Sequence, residues 1–280
     1  MNKGGAFPQA SAIARRLVEA RLAAASLAEY PGDIPQDLET GYAIQDAAIA
    51  LWPDRIIGWK LGRVGAEFEA RFGDGRLAGP IFRRELQRTA GVMQFPVFRG
   101  GFAAVEGEFV IRVAHDAPSD KKDWSTGEAW EMVAGIHIGI ETAGSPLRMI
   151  NDLGPAVVVS DFGNNAGLIL GNEIPDGRKR ALERLSVETF IDGVSVGTGT
   201  AAGIPGGPIE SLRFLLENTA RRGCPLKAGM LVTTGAVTGI HVIECGQSSR
   251  IVYGGDGEIH CHAIAATPQR GTQSLRVPPG

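Results

Sequence analysis

The chain has 280 residues, 44% of them hydrophobic, and a formal net charge of -3. That is enough for one large domain, or for a main domain with a small appendage, around a sizeable core. Its longest basic run is Arg178, Lys179 and Arg180, so there is no electrostatic footprint for nucleic acid or for an anionic membrane surface. Three widely spaced cysteines without a CxxC pair suggest neither a disulfide framework nor a zinc knuckle. No apolar run approaches the ~20 residues that span a bilayer, and MNKGGAFP at the N-terminus lacks the apolar stretch of a signal peptide. The expectation is a soluble, cytoplasmic protein that acts on small molecules.

From 11 to 28, SAIARRLVEARLAAASLA sets apolar residues at helical spacing with Arg and Glu between them, which predicts an amphipathic helix. A second helix is expected over 37–51, stopped by Trp52 and Pro53 because a residue before proline avoids the α region. After Ile56 the character changes. IIGWKLG (56–62) reads as a strand, and β-like runs follow at 97–113, 155–160, 167–170, 186–199, 229–234, 239–244, 249–254 and 258–264, parted by Gly, Pro, Asp and Asn. The 39 glycines, roughly twice the usual share, fall between these runs and call for many turns and bulges. Two further helices are expected: 125–136, opened by the capping-box sequence STGE, and 208–221, with Pro at its first turn. The segment beyond Ala266, rich in Pro, Gly, Gln and Ser, is expected to fray. The result is a helical appendage over 1–55, a β-rich body over 56–266 and a tail over 267–280. This is an α+β protein, because strands and helices do not alternate as a Rossmann or α/β-barrel fold requires.

Two glycine-rich motifs fail on context. GVSVG (193–197) fits GxSxG, but a nucleophile elbow needs strand, sharp turn and helix, whereas Asp192 and Gly193 form a hairpin turn between two strands. GTGTAAG (197–203) has no βαβ unit around it and reads as a tight loop at a sheet rim. His260 and His262 share one strand face but lack a third ligand nearby. Glu67, Glu69 and Arg71 read as a solvated charged stretch.

VEGEF (105–109) is different. Side chains two apart on a strand point the same way, so Glu106 and Glu108 repel unless both face water or a cation lies between them. Glu141 closes the apolar run GIHIGIE (135–141), where a carboxylate is costly unless solvated, paired or bound to an ion. Carboxylates from neighbouring strands would form an open, all-oxygen site that suits Mg2+ or Mn2+ better than zinc. A solvated strand face is the alternative.

The order GYAIQDA (41–47), GWKLG (58–62), LAGPIF (77–82), EGE (106–108), GIE (139–141), VGTGTAA (196–202) and LKAG (226–229) resembles the 2-keto-4-pentenoate hydratase and 4-oxalocrotonate decarboxylase branch of the fumarylacetoacetate hydrolase superfamily. The resemblance implies a mixed β-sheet roll with Glu106, Glu108 and Glu141 as ligands of Mg2+ or Mn2+ and Lys60 in the active site. Lys60 would transfer a proton or orient the substrate head group, with burial lowering its pKa against the pull of the glutamates. Asp161 would position water or bind a ligand, and Arg63, Arg71 and Arg76 are candidates for holding a distal carboxylate. The implied substrate is a small 2-oxo or 2-hydroxy carboxylic acid of aromatic-compound catabolism. Hydration of a 2-hydroxy-2,4-dienoate comes first, then decarboxylation of 2-oxo-3-hexenedioate, carbon–carbon bond hydrolysis and a non-catalytic partner subunit. The family also implies a homo-oligomer and a complex with a neighbouring pathway enzyme. The chain departs from the family at Phe162, where Asn is usual after the acid, at TAGSP (142–146), and at Met230. These differences bear on substrate and reaction more than on the metal.

Overall fold

The structure, a computed structural model, describes residues 9–269. In chain order it contains α1 (Ala10–Leu22), α2 (Leu38–Leu51), β1 (Ile56–Arg63), α3 (Ala66–Phe72), β2 (Arg76–Phe82), β3 (Leu86–Arg88), β4 (Val92–Val97), β5 (Phe102–Val113), α4 (Thr126–Glu131) and β6 (Val133–Ser145). It continues with α5 (Pro155–Ser160), β7 (Asn165–Glu173), β8 (Ser186–Ile191), β9 (Val194–Thr200), α6 (Gly207–Arg221), β10 (Leu231–Thr233), β11 (His241–Val242), β12 (Ser248–Val252) and β13 (Glu258–Ala265). The strands form two sheets. The larger runs β2-β1-β10-β5-β6-β7-β3, with β11 also paired to β5, and the smaller runs β4-β13-β12-β8-β9. Most pairs are antiparallel; β1–β10, β3–β7 and β4–β13 are parallel. The α+β expectation holds.

The long β5–β6 pair is the axis of the fold, in register from Phe102 opposite Ser145 to Arg112 opposite Gly135, with a register shift before Val113 meets Val133. The smaller sheet packs on its back. A Cβ at Gly107 would lie 2.8 Å from Val187 Cγ1 and 3.0 Å from Ile251 Cγ2, so this position has room only for hydrogen. Phe109, Ile111, Val187, Ile251, Tyr253 and Cys261 fill the space between the sheets. A second apolar cluster joins α1 and α2 to the body through Phe82, Leu147, Ile150, Val157 and Phe162. Phe162 sits edge-on to Trp52 and Phe82, at 5.4 and 5.0 Å between ring centroids. Phe162 therefore belongs to the packing of the appendage. No described helix is long and apolar enough to cross a membrane.

Several boundaries differ from the sequence reading. The first helix stops at Leu22: Ala24 turns to a left-handed φ of 52°, and the chain then bonds outward, Leu27 N–H donating to Pro146 O. PAVVVS, read as a strand, is α5. Pro155 sits in its first turn, and Ala156, Val157, Val159 and Ser160 are buried, so tertiary packing overrides the β preference of valine. The helix at 125–136 is a single capped segment, with Ser125 and Glu128 forming the capping box, and the chain is already extended at Val133. The charged stretch at 67–71 is the exposed helix α3. The Asp192–Gly193 turn is a hairpin with both φ positive, 47° and 81°. Ala266 and Gln269 bond to Val97 O and Leu22 O; the rest of the expected tail, and the N-terminal 1–8, lie outside the described residues.

Candidate metal centre

On β5, odd-numbered Val105, Gly107 and Phe109 face the smaller sheet, which turns Glu106 and Glu108 to the opposite face, toward the α-helical side. Glu141 on β6 stands directly across from Glu106. Lys60 comes from β1, two strands away through β10. All four are buried, Glu108 and Glu141 completely. One carboxylate oxygen from each glutamate lies within 4.8 Å of the others, and among the described residues this is the one such group of three potential ligands.

The partners of these carboxylates come from three segments, around residues 60, 165 and 233–235. Lys60 Nζ pairs with Glu141 Oε1 at 2.9 Å. Asn165 Nδ2 donates to the same oxygen at 3.3 Å and Thr233 Oγ1 to Glu141 Oε2 at 3.4 Å. Gly235 N–H donates to Glu108 Oε2 at 2.7 Å. Glu108 Oε1 is buried and has no partner. Three carboxylates against one ammonium leave two negative charges uncompensated in a dry site, a costly arrangement. Without a cation the strain appears as protonation. Burial raises Glu106 to about 7, with Lys60 pulling down and Glu141 pushing up; burial, Glu141 and Glu106 push Glu108 well above the ordinary carboxylate range. Burial lowers the Lys60 ammonium pKa, but Glu141, Glu106 and Glu108 more than reverse it. With the three carboxylates as its only charged neighbours, the Lys60–Glu141 ion pair at 2.9 Å outweighs the desolvation that would lower the lysine's pKa. A hard divalent cation suits this oxygen-only set, with its orphaned oxygen and surplus charge.

Lys60 is held by a close backbone crossing. Gly79, its antiparallel neighbour on β2, runs under Phe162, where a Cβ would meet Phe162 O at 2.0 Å. Phe162, Gly163 and Asn164 all take left-handed φ, 56°, 65° and 62°. A Cβ on Gly163 would lie 2.9 Å from Gly79 Cα and 3.3 Å from Lys60 Cδ.

Asp161 is not brought to the carboxylate cluster. Its Oδ1 accepts from Arg21 Nε at 2.5 Å and its Oδ2 from Ser145 Oγ at 2.5 Å, so both oxygens are engaged. Arg21, buried on α1, also donates to Asn165 O, Gly144 O and Asp161 O. This network ties the first helix to the segment that covers Lys60 and carries Asn165. Neither Arg21 nor Asn165 stood out in the sequence. An arginine in an amphipathic helix reads as solvent-facing, and the available signal for Asn165 was its place in SDFGNNAG beside Asp161.

A cavity of about 580 Å3 opens above the cluster, with Lys60 and Glu106 at one end and Arg63, Arg76, Glu67 and Glu69 among its other lining residues. Arg71 instead reaches Gln36 on the surface. The remaining candidate motifs lie elsewhere: His260 and His262 pair with Glu258 and Ser248 on an exposed face, and Ser195 donates to Glu188 in the hairpin.

No family model matches the chain. Over 235 residues it is 26% identical to a 2-keto-4-pentenoate hydratase of Burkholderia vietnamiensis, covering 81% of this chain and 87% of that protein. It is 29% identical over 106 residues to a 2-oxo-hept-4-ene-1,7-dioate hydratase of Escherichia coli, a match spanning 38% of this chain and 40% of that enzyme. Among solved structures, a 4-oxalocrotonate decarboxylase from Pseudomonas putida complexed with magnesium and adipate superposes with a TM-score of 0.79, at 20% identity, over 94% of this chain and all of that one.

Proposed function

We propose that this chain, which belongs to the 2-keto-4-pentenoate hydratase and 4-oxalocrotonate decarboxylase branch of the fumarylacetoacetate hydrolase superfamily, is a metal-dependent lyase that adds water to a 2-hydroxy-2,4-dienoate to give a 4-hydroxy-2-oxo acid. The observation that carries this reading is the buried carboxylate cluster with an unpartnered oxygen and a lysine at the end of a cavity. Similarity to proteins named hydratases along four fifths of the chain favours hydration.

In this reading Glu106, Glu108 and Glu141 hold Mg2+ or Mn2+. The ion would supply Lewis-acid stabilisation of charge on the substrate's C2 oxygen and carboxylate head. The chain's own residues do the rest. Lys60 holds its ammonium beside Glu141, where it can donate a proton or hydrogen-bond the substrate head as the dienol becomes a 2-oxo acid through protonation at the far carbon. Water then adds at C4. Thr233, Asn165 and the Gly235 N–H fix the carboxylates from outside, a role whose loss typically weakens metal binding ~10–100-fold. Asp161 acts at a distance, anchoring the 161–165 segment through Arg21 and Ser145.

Ultraviolet spectroscopy of the purified protein with Mg2+ or Mn2+ tests the assignment. Metal-dependent loss of the 2-hydroxypenta-2,4-dienoate signal, with 4-hydroxy-2-oxopentanoate as product, is expected, and is abolished by Lys60→Ala. Consumption of 2-oxo-3-hexenedioate alone, with carbon dioxide release, would replace hydration by decarboxylation. Tight metal binding without turnover of either acid would sink the reading.

A further inference from the structure

The strand pair that carries Lys60 is gripped from outside by a side chain remote from the carboxylates. Gln45, on α2, is completely buried. Its Nε2 donates to Ala78 O at 3.0 Å and to Val159 O at 2.8 Å, and its Oε1 accepts from Arg222 Nη2 at 2.7 Å. These partners leave one orientation for the amide, since carbonyls can only accept and a guanidinium can only donate. Three residues earlier on the same helix face, Tyr42 Oη accepts from Ala78 N–H at 2.9 Å. Helix α2 thus holds both backbone groups of Ala78 on the outer side of β2, the edge strand of the larger sheet. Backbone groups along an antiparallel edge point alternately out and in, so Gly79 turns both of its own toward Lys60, its partner on β1.

The two carbonyls that share the Gln45 amide stand on either side of the backbone crossing over Lys60. Ala78 immediately precedes Gly79, and Val159, near the end of α5, comes just before the Phe162–Gly163 segment. The Val159 carbonyl is among the last four of its helix, which have no partner inside it. A Cβ on Gly79 would collide with Phe162 O, and one on Gly163 would lie 3.3 Å from Lys60 Cδ. The spacing of the two gripped segments therefore sets the room left for the lysine stem. Arg222, at the end of α6, closes the arrangement. Its guanidinium lies 4.3 Å from the Tyr42 ring centroid and 5.1 Å from that of Trp59, the chain neighbour of Lys60, and it also bonds Asp46. Gly41 lets α2 approach α5, where a Cβ would stand 2.6 Å from Ala156 O. Gly41, Tyr42, Gln45 and Asp46 of GYAIQDA thus belong to one clamp.

We propose that Gln45 is a positioning residue for Lys60: by tying Ala78 to Val159 it fixes the crossing of Gly79 and Gly163, and so confines the lysine stem to the path that brings Nζ to 2.9 Å from Glu141. The inference rests on the preceding assignment of Lys60 to proton donation or head-group binding and adds what holds it in place. Lysine carries a flexible four-carbon stem, so its head is only as fixed as the walls around that stem. An apolar side chain at position 45 would fill the same space but leave the Ala78 and Val159 carbonyls buried without a donor, which favours parting of the two segments.

The test uses Gln45→Met, which keeps an unbranched stem, and Tyr42→Phe, which removes only the bond to Ala78 N–H and serves where the first variant does not fold. Hydrogen exchange of the metal-free full chain, read by mass spectrometry, probes the clamp without any substrate. Amides of 58–62, 77–79 and 160–164 are expected to exchange about tenfold faster in Gln45→Met, with those of β12 and β13 at the wild-type rate. With Mg2+ and the acid that the wild type consumes, kcat per folded molecule should fall about ten- to a hundredfold, the scale of an ångström's misplacement, while KM stays within about twofold. Tyr42→Phe should show both effects at about threefold, as befits one hydrogen bond. Unchanged exchange at 58–62, or a rise shared equally by β12 and β13, would overturn the inference and make Gln45 an ordinary core amide. Local loosening with kcat at the wild-type value, or a loss carried by KM alone, would overturn it as well. Where the wild type consumes neither 2-hydroxypenta-2,4-dienoate nor 2-oxo-3-hexenedioate, the assigned reaction fails, and the exchange result alone decides whether Gln45 holds Lys60.

Discussion

Arg21 is the sharpest place to test how the site is held. Replacing it with Met keeps an unbranched stem against Phe162, whose ring lies 5.1 Å from the guanidinium carbon, but removes every donor. Asp161, 1% exposed, would keep only Ser145 as partner. Removing one member of a buried ion pair costs ~3–5 kcal/mol, because the other charge stays buried and unpaired. The carbonyls of Asn165 and Gly144 lose their donors as well, each worth about 1 kcal/mol and not fully additive. A loss of about 4–5 kcal/mol is expected, a large part of the ~5–15 kcal/mol that holds a typical domain. Urea unfolding at neutral pH, with metal fixed or chelated, reads it from the shift in midpoint at constant m. Arg21→Met/Asp161→Leu removes both charges and should recover a substantial part of the loss, with a coupling energy of about 2–3 kcal/mol. The Mg2+ affinity of Arg21→Met should fall about tenfold, because Asn165 then holds Glu141 less firmly. A single-variant cost under ~1 kcal/mol, or strictly additive variants, would refute the claim that this pair anchors the segment over Lys60.

The other predictions concern the site and its surroundings. Saturating Mg2+ at about 100 times its Kd should stabilise the wild type by about 2.7 kcal/mol, and Glu108→Gln should lose that gain in thermal unfolding; an unchanged gain would remove Glu108 from the ligand set. Gly163→Ala carries a Cβ into Gly79 and forces alanine into a left-handed φ. It should cost ~1–2 kcal/mol for the backbone alone and reduce kcat more than stability; wild-type turnover would show that the crossing over Lys60 is loose. Burial lowers the pKa of His137 below that of the unfolded chain, so the unfolded state binds the proton first. Stability contributed by neutral His137 is present above pH ~6.5 and falls as pH drops through that value; an unaltered stability slope in His137→Gln between pH 7 and 5 would exclude it. Cys261 is buried, with its thiol pushed up to about 12 by burial. A thiol reagent at pH 8 should modify exposed Cys245 in the native protein and reach Cys261 only on unfolding, and native labelling of Cys261 would contradict the packing between the sheets.

The chemistry was more legible in the sequence than the layout. Two glutamates at strand spacing and a third ending an apolar run are costly anywhere, so their expense is visible without coordinates, and the EGE and GIE segments do fall opposite each other. Strands bounded by turn residues were equally readable, as at 186–199. What failed depends on contacts distant in sequence. The valines of α5 prefer a strand until Gly154, Pro155 and a buried environment make the turn a helix. β2 lay hidden in RLAGPIF because its glycine and proline look like a loop, yet Gly79 is needed where Phe162 crosses. Arg21 looked like one more solvated arginine because its partners lie more than 120 residues away. Asp161 was marked for its place in a motif, and its ion pair with a helix at the other end of the chain could not be read from that motif.

The alternation on β5 also has a consequence for how the strand finds its partner. A slip of one residue would turn Glu106 and Glu108 into the dry space now closed by Val187 and Ile251, and would aim Val105, Phe109 and their neighbours at the cation pocket. Only the native alignment keeps the acids off the apolar seam while setting Glu106 against Glu141. The residues that make the site expensive thus also mark the register of the central hairpin, because a pairing slipped by one residue would bury naked charge at a cost the native pairing avoids.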